Sequence, residues 1–157
     1  MPDMLVRLYD LPDPAPHVAE LKAAGIEIKR AIAPEKHVVV NWVRETFGAG
    51  WASECDVAFS NHPVSCLIAT ENGRIVGFAC YDATYRDFFG PTGVKESHRK
   101  RKIGKTLLLA TLHAMYEQGY AYAIIGGVGP VEFYAKVAGA VPIENSTPGV
   151  YRGMLKW

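Results

Sequence analysis

Residues 65–83 read SCLIATENGRIVGFACYDA, and no other stretch constrains the fold as much. Two runs rich in β-branched and aromatic residues flank Glu71-Asn72-Gly73, and Asn-Gly favours the tight turn of an antiparallel hairpin. A lone hairpin is marginal in water, so the rest of the chain must extend it into a sheet and cover its faces. The next run, FFGPTGV at 88–94, is extended and interrupted by Gly90 and Pro91. It leads into a turn of basic residues and then an apolar helix from about Gly104 to Gln118, ended by Gly119.

The flanking segments supply the remaining elements. MLVRLYDL is a short strand ended by Pro12, Pro14 and Pro16, and HVAELKAAG a helix closed at Gly25. Residues 26–33 alternate as a strand. Pro34 opens a helix with Val39, Trp42, Val43 and Phe47 on one face. GAGW interrupts it, and ECDVAFSN forms a second, shorter helix. YAYAIIGG is a buried strand, Pro130 opens the helix VEFYAKVAG, and VPIE and VYRGMLKW make two closing strands. No repeat, low-complexity tract or linker divides this order, so residues 1–157 read as one α/β domain with a mixed sheet. A hydrophobic share of 49% suits a proper core. There is no basic start followed by an apolar leader, and no run of membrane-spanning length. Cys55, Cys66 and Cys80 lack CxxC spacing and cannot all pair, which suits a reducing compartment. The expectation is a cytoplasmic protein without a membrane partner.

Charge is concentrated at one place. Lys95 to Lys105 holds six basic residues and one acid, or +5; the whole chain is +1, which leaves −4 for the remainder. Such a distribution points to one anionic ligand and makes nucleic acid the lesser reading. Gly104-Lys105-Thr106 ends like a P-loop, but GxxxxGK[ST] needs a glycine at position 99, which is Arg99. A helix start offers unpaired amides and a positive dipole end to an anion. Gly104 allows close approach, and the flanking Arg and Lys add charge-assisted hydrogen bonds.

Here the sequence resembles the GNAT N-acetyltransferases, whose acetyl-CoA loop follows [QR]-x-x-G-x-[GA] between a strand ending in Val and a helix with paired leucines. With Val94 and Leu107-Leu108 as landmarks, Arg99 and Gly104 match, while Lys102 stands where the family usually has glycine. A second register, Arg101 to Thr106, makes Gly104 the first glycine and puts Thr106 where Gly or Ala is expected. Further on, VEFYAKVAGAVPI is similar to the family's F-Y-x-K-x-G-[FA]: Phe133, Tyr134 and Lys136 fit, with Gly139-Ala140 one residue later than usual. The resemblance covers residues 68–143.

It implies a GNAT-like fold: a mixed, largely antiparallel central sheet flanked by helices, with an extra N-terminal strand-helix unit. That unit either caps the sheet edge or pairs with a second copy in a homodimer. It implies acetyl-CoA as co-substrate, bound by Gly93, Val94, Arg99, Lys100, Arg101, Lys102, Ile103, Gly104, Lys105 and Thr106. Tyr134 takes the role of general acid, its phenol matched to a departing thiolate. The base is open between Asp82 and Glu54, with Asp87 and His62 behind them. Trp51, Tyr81 and Tyr85 either line an acceptor pocket or pack in the core. Gly126, Gly127 and Gly129 either leave one wall of the coenzyme gap open or serve as turn glycines before Pro130. Val128 departs from the asparagine many members place there. Direct transfer needs no acyl-cysteine, so the three cysteines are structural, and His98 and His113 lack metal-site spacing. The implied function is N-acetylation of a small amine or an exposed amino group. A noncatalytic CoA-binding or partner-binding module is the competing class, and a nucleic-acid binder the third.

Overall fold

Asn72 (φ 53°) and Gly73 (φ 73°) both take positive φ, as the tight hairpin turn requires, and join β3 (Cys66–Glu71) to β4 (Arg74–Tyr81). The structure, a computed structural model, describes residues 1–156. Around the hairpin lie β1 (Met4–Arg7), α1 (Ala15–Ala23), β2 (Ile26–Arg30), α2 (Lys36–Phe47) and α3 (Ala49–Ala58). After it come β5 (Phe88–Val94), α4 (Ile103–Glu117), β6 (Tyr122–Ile125), α5 (Val131–Ala138) and β7 (Val141–Pro142). They build a seven-stranded sheet in the order β2-β3-β4-β5-β6-β1-β7. Every neighbouring pair is antiparallel except β5 and β6.

Strand alternation divides the core in two. Leu67, Ala69, Val76 and Tyr81 face α1, α4 and α5 and pack with Leu107, Leu108, Leu112 and Met115. Cys66, Ile68, Phe78 and Cys80 face the other way, under α2 and α3, with Val39, Val43, Ala52 and Cys55. α4 is apolar on most of its circumference because it lies against the sheet along much of its length. Gly48 (φ 109°) alone separates α2 from α3, so the second helix begins earlier than the composition of GAGW implies.

Two expectations are corrected. The N-terminal strand does not cap an edge: β1 lies inside the sheet, pairing Met4–Arg7 with β6 and Met4 and Leu5 with β7. Nor do residues 150–156 form a closing strand. Residues 149–151 form a short 3-10 turn instead, the remainder through 156 has no regular structure, and Trp157 lies outside the described residues. Among the described residues, no helix is long and apolar enough to cross a membrane.

Candidate active site

The one parallel pairing shapes the site. β5 and β6 are joined only at Phe88–Ile124 and Phe89–Ile125, after which β6 turns away at Gly126 and Gly127 while β5 continues to Val94. A cleft opens between them. On its β4 side, β5 remains paired, with a bulge between Ala79 and Tyr81. Lys95 N–H donates to Val76 O at 2.8 Å. By the alternation of an antiparallel ladder, Gly93 therefore also faces β4, whereas Thr92 and Val94 turn their amides and carbonyls to the open edge. Of the two expected backbone contacts, Val94 lies on the cleft and Gly93 does not. Gly93 has another reason to be glycine: a Cβ there would lie 2.4 Å from Phe47 Cζ.

At the far end of β5 the chain enters the basic turn. Lys100 (φ 66°) and Lys102 (φ 63°) are both left-handed, a conformation that favours glycine. Lys102 caps α4, and the first helical bond runs from Thr106 N–H to Lys102 O at 3.1 Å. The amides of Lys102, Ile103, Gly104 and Lys105 precede it and have no acceptor within the helix. Alternating left-handed residues followed by free amides make a concavity suited to anions.

The charges around it divide. Arg99 Nε donates to Val94 O at 3.3 Å, and Arg101 Nη2 lies 3.7 Å from Glu71 Oε2. His98 Nε2 and Glu71 Oε1 are 2.9 Å apart, and this contact, with Arg101, holds the Glu71 carboxyl below its ordinary range. Arg99 and Arg101 thus brace the turn, and Arg101 with Lys100 and Lys102 also lines a cavity of about 250 Å³ against His17, Glu20 and Leu21 of α1. Ile103 is buried, and the Thr106 hydroxyl donates back to Lys102 O at 2.7 Å, so these two anchor the loop from beneath.

Tyr134 stands at the apex. Its ring packs edge-on against Phe89, the last β5 residue paired to β6, with centroids 6.5 Å apart, and against Phe133 at 5.1 Å. The residue is buried, and burial raises its phenol above the ordinary value, so it holds its proton at rest.

The two candidate bases are separated. Asp82 accepts from Tyr120 Oη at 3.0 and 2.9 Å through its two oxygens, and from Asp87 N–H at 2.7 Å. It lines a cavity of about 440 Å³ with Asn61, His62, Arg86 and Gln118. Beside it, burial and the Asp82 charge push the Asp87 carboxyl up to about 6, while burial and the Asp82 hydrogen bond push Tyr120 to about 12. Glu54 belongs elsewhere. It accepts from the Thr84 hydroxyl, and Tyr151 lies near enough for its phenol to be raised by the Glu54 charge as well as by burial. Tyr151 covers the glycines that follow β6: a Cβ at Gly126 would meet its hydroxyl and the Phe88 ring, each at 3.0 Å. Gly126 and Gly127 are therefore packed rather than open, and only Gly129 has free space.

The aromatics sort themselves similarly. Tyr81 is fully buried, its hydroxyl accepting from Arg30 Nη1 at 2.7 Å and from Gln118 Nε2, so it is a core residue. Trp51 and Tyr85 are exposed; Trp51 stacks 5.1 Å from Phe47, and Tyr85 lies 5.7 Å from Phe88. Sequence reasoning missed Thr84, Tyr151 and Asp3. Asp3 holds the loop after β6 through Gly127 N–H at 2.8 Å. None carries a local signal, since each acts on a segment distant in sequence.

The profile of the Acetyltransferase (GNAT) family matches residues 36–140. No curated protein matches the chain. Among solved structures, it is similar to a glucosamine N-acetyltransferase region of a fungal multi-domain β-N-acetylglucosaminidase: TM-score 0.73, 16% identity, 90% of this chain and 19% of that one. A GCN5-related N-acetyltransferase from Sphaerobacter thermophilus gives TM-score 0.68 and 19% identity over 90% of this chain and 48% of that one. One from Kribbella flavida gives 0.55 and 17%, over 90% and 53%. The chain spans between a fifth and about half of the length of these relatives, and the likeness is one of fold.

Proposed function

Because the chain belongs to the Acetyltransferase (GNAT) family, we propose that it is an N-acetyltransferase, moving the acetyl group of acetyl-CoA directly onto an amine nitrogen. The observation that carries this reading is the cleft after Phe89 and Ile125, with free helix amides at one end and a buried phenol at its apex. The residues present fit the donor. The amides of Lys102 to Lys105, with the Lys100 and Lys102 side chains, hold its diphosphate. Thr92, through its amide and carbonyl, and Val94, through its amide, offer backbone groups to its amide-bearing arm as a neighbouring strand would. Lys102, left-handed where the motif has glycine, supports the register Arg99 to Gly104.

The acceptor is a small amine or an exposed amino group approaching from the side of Glu54, Thr84 and Tyr151. Glu54 attracts the ammonium and accepts its proton, with Thr84 fixing the carboxylate. The freed nitrogen attacks the thioester carbonyl carbon to give a tetrahedral adduct; as the C–S bond breaks, Tyr134 gives its proton to the departing sulfur, the nitrogen's second proton passes to solvent, and Tyr134 regains a proton from solvent. No cysteine takes part, since all three are fully buried.

Thermal unfolding with acetyl-CoA, followed by thiol-release assays over a panel of amines, tests the reading. At about 100 times its dissociation constant, acetyl-CoA stabilises by about 2.7 kcal/mol, a shift of roughly 5–11 °C for a chain of this size. No shift overturns the donor site. A shift without turnover on any amine leaves a noncatalytic CoA-binding module.

A further inference from the structure

Away from the cleft, the α2–α3 side of the sheet holds three side chains that acetyl transfer does not use. Cys66 and Cys80 are direct cross-strand partners on β3 and β4. Cys55 comes down onto them from the buried stripe of α3 between Ala52 and Ala58. Their three Sγ atoms lie within 4.8 Å of one another, and all three residues are fully buried. A single buried cysteine is an ordinary small apolar filler. Three thiols brought to one point by a helix and two strands offer a shared donor set.

We propose that Cys55, Cys66 and Cys80 form a three-coordinate binding site for a soft monovalent metal ion, copper(I). Soft thiolates select copper(I), zinc or iron–sulfur clusters. A structural zinc site closes with four ligands, whereas only these three metal-binding side chains converge here among the described residues. The surroundings are apolar, with Ala52, Ala58, Ile68 and Phe78 in the same packed cluster. With metal–sulfur bonds of about 2.3 Å, three sulfurs at the corners of a trigonal plane stand about 4.0 Å apart. Reaching that from the present triangle takes a contraction of less than about 1 Å at its widest.

Thiol protons displaced on binding leave to solvent.

The test is a competition titration of the reduced, anaerobic 157-residue chain with copper(I) against bicinchoninate, brought to equilibrium. One ion per chain is expected, with at least 100-fold weaker binding in C55A and in C66A. X-ray absorption at the copper edge of the loaded wild-type protein needs no variant and should show three sulfur neighbours. Absence of copper(I) uptake by the folded wild-type protein overturns the site. So does undiminished binding in C55A, a nitrogen or oxygen neighbour in the absorption spectrum, or zinc(II) binding as tight as copper(I).

Discussion

The ring of Phe47 occupies the space that a side chain at residue 93 would need: a Cβ on Gly93 would lie 2.4 Å from Phe47 Cζ and 2.8 Å from Cε1. This contact ties the end of α2 to the cleft-lining half of β5. G93A is expected to force Phe47 or β5 aside and cost about 1–3 kcal/mol, or roughly 2–12 °C in thermal midpoint. The double variant F47A/G93A should lose less than the sum of the single losses. Additive losses would show that the two residues do not share this space.

Tyr134 is buried with its phenol raised, and Phe89 and Phe133 hold its ring. Y134F should lower kcat by about 10²-fold if the phenol protonates the departing thiolate, with the acetyl-CoA dissociation constant unchanged. Equal turnover in Y134F removes Tyr134 from the chemistry.

Glu54 and Asp82 make opposite predictions. E54Q should lower kcat by about 10²-fold at neutral pH and leave the thermal midpoint close to wild type. D82N weakens the ionic hydrogen bonds from Tyr120 and the Asp87 amide, so it should cost about 1–3 kcal/mol of stability and leave kcat nearly intact. Steady-state kinetics and melting curves on the two variants decide between the carboxylates, and a reversal of the pattern moves the base to Asp82.

Lys102 holds a left-handed conformation at the N-cap of α4. K102G and K102A remove the same charge, but only glycine takes φ 63° without strain. K102G should be more stable than K102A by about 1 kcal/mol, or roughly 2–4 °C. Equal midpoints would place residue 102 in an ordinary helical conformation.

Asp87 supplies a pH signature. Its carboxyl is raised to about 6 in the folded chain, so the native state holds a proton that the unfolded state releases near its ordinary value of about 4. The linked stability is fully present below about 4 and is lost as pH rises through about 6. D87N should therefore gain on wild type between pH 4 and pH 7, by about 1 kcal/mol once solvent screening is allowed for. A constant difference across that range would contradict the raised carboxyl.

Local chemistry in the chain determined the hairpin at Asn72-Gly73, the apolar α4 behind a basic turn, and the Phe133-Tyr134 helix. It determined them because turn residues, strand alternation and helix caps act over ten residues or fewer. The GNAT-like loop and helix were legible for the same reason. Tertiary structure decided the rest. It placed β1 between β6 and β7, and it left residues 143–156 outside the sheet. It turned Val94 to the cleft and Gly93 to Phe47, separated Asp82 from Glu54, and gathered Thr84 and Tyr151 around the latter. It also drew three cysteines from α3, β3 and β4 to one point. Each of these arrangements joins residues distant in the chain, and their positions follow from burying two faces of one twisted sheet, an outcome that no local pattern encodes.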